Sequence, residues 1–345
     1  MACLSDEDLD GLRIEQSVFH IVGPGNEHFQ LLEAFDASQH AAFFLDRIRS
    51  VNVGNRYRFL EDAPVRTQLA RVDVDAAAFQ DESEKLATAF NEAHGGNTAV
   101  GAFLLFKLSC PSGRIFALLK FEDEKVLSYG LEDGQSGKPV PTFGVIERTF
   151  VQNRNALQKA ALIRLSQQDD SIFVVDRQNP QRPAAYFERF LYVRRMRTEG
   201  ELTKAIVDVT RRVATKYQEH LSPGALKGLA QRLFDASQSG GVVDGDRAGD
   251  WFTQIVGPLP EDSPALKEFR AELAREGMLG ESFKLEKGAL PAPRNRRVET
   301  VSGVKITYPA GLQDSMVSID EARGEIIIRD TITVNDVELP SRSRP

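Results

Sequence analysis

The chain is poor in the residues that staple small folds or ligate transition metals. Its 345 residues include two cysteines, five histidines and one tryptophan. Cys3 and Cys110 cannot build a disulfide framework, and both read as reduced thiols of a cytosolic protein. His20, His28, His40, His94 and His220 are scattered with no pair at ligand spacing, which argues against a Cys/His zinc site. No run approaches the roughly 18 consecutive apolar residues that a membrane-spanning helix needs. The amino terminus, Met1-Ala2-Cys3-Leu4-Ser5-Asp6-Glu7-Asp8, is acidic and has neither the basic nor the apolar stretch of a secretory signal.

Catalytic motifs are equally scarce. A P-loop needs glycine at both ends so that backbone amides can cradle phosphate. The nearest stretch ends in Gly137-Lys138, but Glu132 stands at the first glycine position and Pro139 where a hydroxyl is required. Neither a G-x-S-x-G elbow nor an H-E-x-x-H helix is present. A calcium loop starting at Asp244 would put Ala248 and Ile255 at ligand positions, the latter where a bidentate glutamate belongs. That stretch reads as a solvated acidic loop, with Asp250 capping a helix from Trp251. No cofactor or metal is expected.

What the chain does have is globular texture: 41% hydrophobic and 27% charged residues. Its length suggests two or three domains. The net charge is 43 − 50 = −7, but the charges are segregated. Residues 1–50 carry nine acids and three bases, a net of −6. Residues 182–216 carry nine bases and four acids, +5, and residues 284–305 carry six bases and two acids, +4.

Hydrophobic periodicity places the elements. Leu12–Val22 reads as a strand, Ser38–Val51 and Ser83–Phe90 as amphipathic helices. Val100–Ser109, Arg114–Glu122 and Lys125–Gly130, separated by turn residues, predict an antiparallel meander. Residues 131–141 read as a loop, and Ala160–Leu165 and Ser171–Asp176 as two further strands. From Thr198 the period becomes helical. Thr198-Glu199-Gly200-Glu201 has the spacing of a capping box, followed by Leu202, Ala205, Ile206, Val209, Val213, Tyr217 and Leu221. Ser222-Pro223 and Ser263-Pro264 are expected to open two more helices. Residues 288–297 read as a linker, and Val304–Tyr308 and the Met316–Asp320/Glu325–Asp330 pair as a closing β unit. The expected organisation is α+β: a β-rich domain over 1–197, a helical segment over 198–287, a small β unit over 298–335 and a disordered tail over 336–345.

Three functional readings follow from the residues. Arg194, Arg195 and Arg197 cluster before the capping box, and Lys204, Arg211, Arg212 and Lys216 fall opposite the apolar stripe of the helix after it. Arg294, Arg296 and Arg297 lie in the linker. Guanidinium forks match phosphate oxygens, so these ten residues predict a double-stranded DNA surface that ignores sequence. The same face would equally serve a protein–protein adaptor docking an acidic partner. Asp169, Asp170 and Asp176 flank a buried strand and admit a metal-dependent nuclease, although turn and strand-end roles explain the same letters. His20, in an alternating strand, reads as a satisfied core or interface histidine, and Trp251-Phe252 as a core anchor.

The order of segments carries a resemblance. SVFHIV, GGNTAVGAFLLFKLSCPSGRIFALLKFEDEK, AALIRL, SIFVVDRQ, AAYFERFLYVRR, the helical middle and the closing GVKITYP and EIIIRD are similar to the 37-kDa nucleoid-associated protein family, the NdpA-like proteins of bacteria. The resemblance spans roughly residues 12–335 and departs in the acidic amino terminus and over 131–156. It implies a cytoplasmic, nucleoid-located, non-enzymatic homodimer that binds DNA. A role in DNA-linked phage or plasmid defence is a variant of that expectation.

Overall fold

The computed structural model describes residues 4–94, 99–122, 124–133, 139–149, 157–166, 170–320 and 323–331. Cys3, Asp169 and the tail 336–345 lie outside them, as do residues 134–138 of the stretch read as a loop. Two compact units are present, Met1–Ala289 and Leu290–Pro345.

In the first unit the chain opens with α1 (Asp6–Asp10), β1 (Arg13–Val22), α2 (Ala41–Arg49), β2 (Asn55–Phe59), α3 (Pro64–Val74) and α4 (Phe79–His94). The strands β3 (Gly101–Cys110), β4 (Gly113–Glu122), β5 (Glu124–Asp133), β6 (Pro139–Thr149), β7 (Leu157–Arg164) and β8 (Ser171–Asp176) follow. Then come α5 (Ala185–Leu191) and β9 (Val193–Arg195). Seven strands form one sheet in the order β1-β3-β4-β7-β8-β2-β9, with every neighbouring pair antiparallel.

The unbroken apolar runs of β3 and β4 have a simple cause: helices cover both faces of the sheet. Phe103 and Leu105 point into one core with Val65, Leu69 and Val72 of α3, Leu86 and Phe90 of α4, and Phe187 and Phe190 of α5. Leu104, Phe106 and Leu108 point the other way, against Phe44 and Ile48 of α2 and Leu4 ahead of α1. A strand buried on both sides loses the polar alternation that a half-exposed strand keeps.

Several expectations need correction. The meander stops at β3–β4, because β7 occupies the other edge of β4 while β5 pairs with β6 as a separate ribbon. The stretch read as a loop over 131–141 therefore includes the ends of both ribbon strands. β2 and α3 were not anticipated. α3 was nonetheless signalled by Pro64 at its first turn and by Val65, Leu69 and Val72 at helical spacing.

The remainder of the unit is helical: α6 (Glu199–Lys216), α7 (Leu229–Gln238), β10 (Val242–Val243), α8 (Ala248–Val256), α9 (Pro264–Arg275) and β11 (Phe283–Lys284). The capping box forms, Thr198 Oγ accepting from Glu201 N and the Glu201 carboxylate accepting from Thr198 N. Ser222-Pro223 does not open a helix. Gly224 and Gly228 take φ of +81° and +64°, and the chain turns until α7 begins at Leu229. Likewise α8 starts at Ala248, with Asp250 inside its first turn bonded to Arg247 rather than capping it. Trp251 is the anticipated anchor, its Nε1 donating to Thr210 Oγ1 at 2.9 Å.

The second unit holds two hairpins, β12 (Asn295–Glu299) with β13 (Lys305–Pro309) and β14 (Val317–Asp320) with β15 (Glu325–Ile328). The stretch read as a linker thus ends inside β12.

His20 is a satisfied core residue. Leu32 N donates to Nδ1 at 3.1 Å, so Nε2 carries the proton toward Ser83 Oγ, also at 3.1 Å. Burial holds the imidazole pKa down at about 4, against a smaller opposing pull from Glu84. The unfolded chain therefore takes up a proton near pH 6.5 that the folded chain refuses until about 4. His20 stabilises the fold fully above the unfolded value, and that stability is lost as pH falls between the two. The loss should reach about 2.5 kcal/mol by about pH 4.5. In His20→Gln, the difference in urea-unfolding free energy between about pH 7 and about pH 4.5 should shrink by a comparable amount. An unchanged pH dependence would contradict a neutral buried imidazole.

Candidate nucleic-acid interface

β9 places its two arginines on opposite sides of the sheet, because successive strand residues alternate. Arg195 points inward. Its Nη2 donates to Asn55 Oδ1 at 3.1 Å, Glu281 Oε2 at 2.9 Å and Ser282 O at 2.9 Å, and its Nη1 donates to Gln181 O at 2.9 Å. Glu281 is 2% exposed. Burial pushes its carboxyl pKa up, while the Arg195 guanidinium opposes that shift. These donors are spent inside the fold.

Arg194 points outward, is exposed, and sits directly across from exposed Arg58 of β2. Among the described residues neither has a carboxylate within ion-pair distance. Two residues earlier on β2, Arg56 shares that face with its guanidinium over the Phe173 ring, 5.5 Å from the centroid. Arg56 and Arg58 escaped the sequence reading. The alternation Asn55-Arg56-Tyr57-Arg58-Phe59, two arginines around a buried tyrosine, was the available signal. Arg197 is half-buried between Met196 and the capping box, within electrostatic reach of Glu201 and Glu281.

The polar face of α6 is largely neutralised by its own neighbour. Arg212 reaches Glu272 at 2.7 Å and Glu276 at 3.1 Å, and Lys216 reaches Glu268 at 3.0 Å, all on α9. Arg275 joins Glu268 and Glu272 in the same row. Hydrogen bonds from Lys216 and Arg275 hold the Glu268 carboxyl below its usual range. Arg211 pairs with Asp208 one turn earlier at 3.2 Å. Lys204, in the second turn, is exposed and has no ion pair among the described residues.

In the second unit, β12 splits its arginines as β9 does. Arg297 and Lys305 both reach Glu299 at 3.3 Å, leaving one unit of positive charge on that face. Arg296 stands across from Tyr308 on the other face, and Arg294 precedes the strand; both are exposed and without an ion pair among the described residues.

Of the three aspartates that admitted a nuclease, the two among the described residues are structurally engaged. Asp170 accepts Arg66 Nε at 2.6 Å and Ser166 N at 2.8 Å. Asp176 takes Lys159 Nζ at 2.8 Å in a fully buried pair. Its oxygens also accept the backbone N–H groups of Gln178, Asn179 and Ala184, which fixes the loop after β8. Among the described residues no group of three or more His, Cys, Asp or Glu converges to hold a metal. No described helix is long and apolar enough to cross a membrane.

An all-antiparallel seven-stranded sheet sandwiched by helices, followed by a helical segment and a small hairpin unit, defines a two-unit α+β protein with cationic side chains at one sheet edge. The family model described as nucleoid-associated protein YejK matches residues 19–335, and the chain belongs to that family. Comparison with curated proteins gives no match.

Two stability predictions separate structural charges from free ones. Arg195→Ala strands Glu281 and should lower the unfolding free energy by about 3–5 kcal/mol in chemical denaturation. A loss under about 1 kcal/mol would mean that the network is dispensable. Arg212→Glu sets a third carboxylate against Glu272 and Glu276. It should lower Tm at low salt, with the deficit shrinking as salt screens it; a Tm indifferent to salt would show that the α6–α9 row carries no weight.

Proposed function

We propose that this protein binds double-stranded DNA without regard to sequence, as a nucleoid-associated protein. Membership of a nucleoid-associated family across residues 19–335 is the observation that carries the reading. Support comes from cationic side chains left without carboxylate partners among the described residues: in the first unit Arg194 and Lys204, with Arg197 half-buried, and in the second unit Arg294 and Arg296. Arg211, Arg212 and Lys216 in the first unit, and Arg297 in the second, contribute only to the extent that phosphate displaces their carboxylates, and Arg195 supports the first unit's edge from within. Nothing in this set forms a helix presented for insertion into a groove, which favours backbone contact over base reading. A homodimer, placed on the nucleoid and free of catalytic activity, completes the proposal. The defence variant uses the same surface on incoming DNA.

The test is retention on duplexes of unrelated sequence over a salt series. Affinity should fall steeply between about 50 mM and about 200 mM salt, with the same slope for every sequence. Binding that survives high salt, or that separates sequences by orders of magnitude, would contradict a phosphate-only contact. Magnesium-dependent cleavage by the purified protein would revive the nuclease reading.

A further inference from the structure

β9 is the last strand of the large sheet, only three residues long, and its outer edge pairs with no other strand among the described residues. Its ladder with β2 continues at both ends. Met196 N donates to Arg56 O at 3.0 Å, Arg58 stands across from Arg194, and Leu60 N donates to Tyr192 O at 2.9 Å. Met196, Leu60 and Tyr192 are all exposed, at 38%, 37% and 43%. Three arginines and three apolar side chains therefore crowd a ladder that is otherwise anchored inward by Tyr57, Val193 and Arg195.

Two features of this edge work against folding. Directly opposed residues in an antiparallel pair bring their Cβ atoms within about 5 Å, and like charges placed so are destabilising. Arg58 and Arg194 form such a pair with no carboxylate between them, although Glu61 and Asp62 follow just beyond Leu60. At the end of the ladder Tyr192 closes α5 in the left-handed region, φ 56°, where glycine is the ordinary occupant. Strain and like-charge crowding kept together at an exposed edge are what a binding surface looks like when its ligand supplies the missing counter-charge.

We propose that the outward face of the β2–β9 edge seats the sugar-phosphate backbone of duplex DNA. The Arg58–Arg194 rung holds phosphate, and the Tyr192 ring packs against the adjoining sugar. The proposal rests on the DNA-binding reading above and names its primary contact. Phosphate is favoured over an acidic protein because guanidinium groups carried by directly opposed strand residues can fork onto neighbouring phosphate oxygens, and because the family is nucleoid-associated.

The experiment uses the full chain, fluorescently labelled duplexes of two unrelated sequences, and a salt series. Arg58→Gln with Arg194→Gln should reduce the slope of log affinity against log salt by about two. Low-salt affinity should fall about tenfold or more, equally for both sequences. Because the substitution removes a repulsive rung, Tm should stay level or rise. Tyr192→Gly should also keep or raise Tm, and should weaken binding while leaving the salt slope unchanged, since the ring carries no charge. A double variant with wild-type slope and affinity overturns this surface while the DNA reading stands. Equal competition by poly-L-glutamate overturns the phosphate assignment. A Tm several degrees lower in the double variant makes the arginines structural and overturns it as well. If the wild-type chain is not retained on DNA at low salt, the surface and the reading beneath it fall together.

Discussion

One buried guanidinium, that of Arg195, holds together segments far apart in the chain. It joins β9 to Asn55 of β2, to Gln181 in the loop after β8, and to Glu281 and Ser282 ahead of β11. Asn55 completes the knot, donating to Pro180 O and Gln181 O and accepting Ser282 N. A buried ion pair is a poor source of net stability, since well-packed apolar groups can do as well. What it supplies is direction. The fork has a single arrangement that satisfies these acceptors, and that arrangement sets the side of the sheet on which β9 presents its other arginine. With Arg195 committed inward, strand alternation leaves Arg194 no choice but solvent.

The helical segment handles its charge differently. Between α6 and α9, Arg212 and Lys216 meet Glu272, Glu276 and Glu268 across the helix pair, and Arg275 joins the same row. Each exposed pair is worth little alone, and the row as a whole mainly fixes which face α9 turns toward α6. The consequence for function is subtractive. A local excess of bases in the sequence overstates the cationic surface whenever the compensating acids sit elsewhere in the chain, as Glu268, Glu272 and Glu276 do.

That subtraction marks the limit of what was legible beforehand. The strands β1, β3, β4, β7 and β8, the capping box of α6 and the start of α9 follow from period, turn chemistry and caps, and those signals are local. The departure of β5 from the sheet was not legible, because the apolar run of β4 is equally compatible with either neighbour. Nor was the start of α7, delayed to Leu229 by two left-handed glycines after Pro223. Among the site residues, the cluster Arg194-Arg195-Arg197 was visible as letters. That its middle member is a structural fork and its first an exposed charge is decided by Glu281, 86 residues further along. Arg56 and Arg58 sit in a strand of five residues whose inward members are Asn55 and Tyr57, too polar a pattern to announce itself.

The acidic total does not by itself oppose a polyanionic ligand. The excess of acid lies in the first 50 residues, which build α1, β1 and α2. In the strand order β1 and β9 are the two ends of the sheet, six spacings apart, or about 29 Å at about 4.8 Å per strand. The Debye length at physiological salt is about 8 Å, so the field of the β1 end is strongly screened before it reaches the β9 edge. That edge carries Arg56, Arg58 and Arg194, with Glu61 and Asp62 following in the chain and Glu281 within electrostatic reach of Arg56. Local arrangement, and not net charge, decides the sign of the interaction there. Screening within about 8 Å of each group lets one chain stay anionic overall and still present a locally cationic edge.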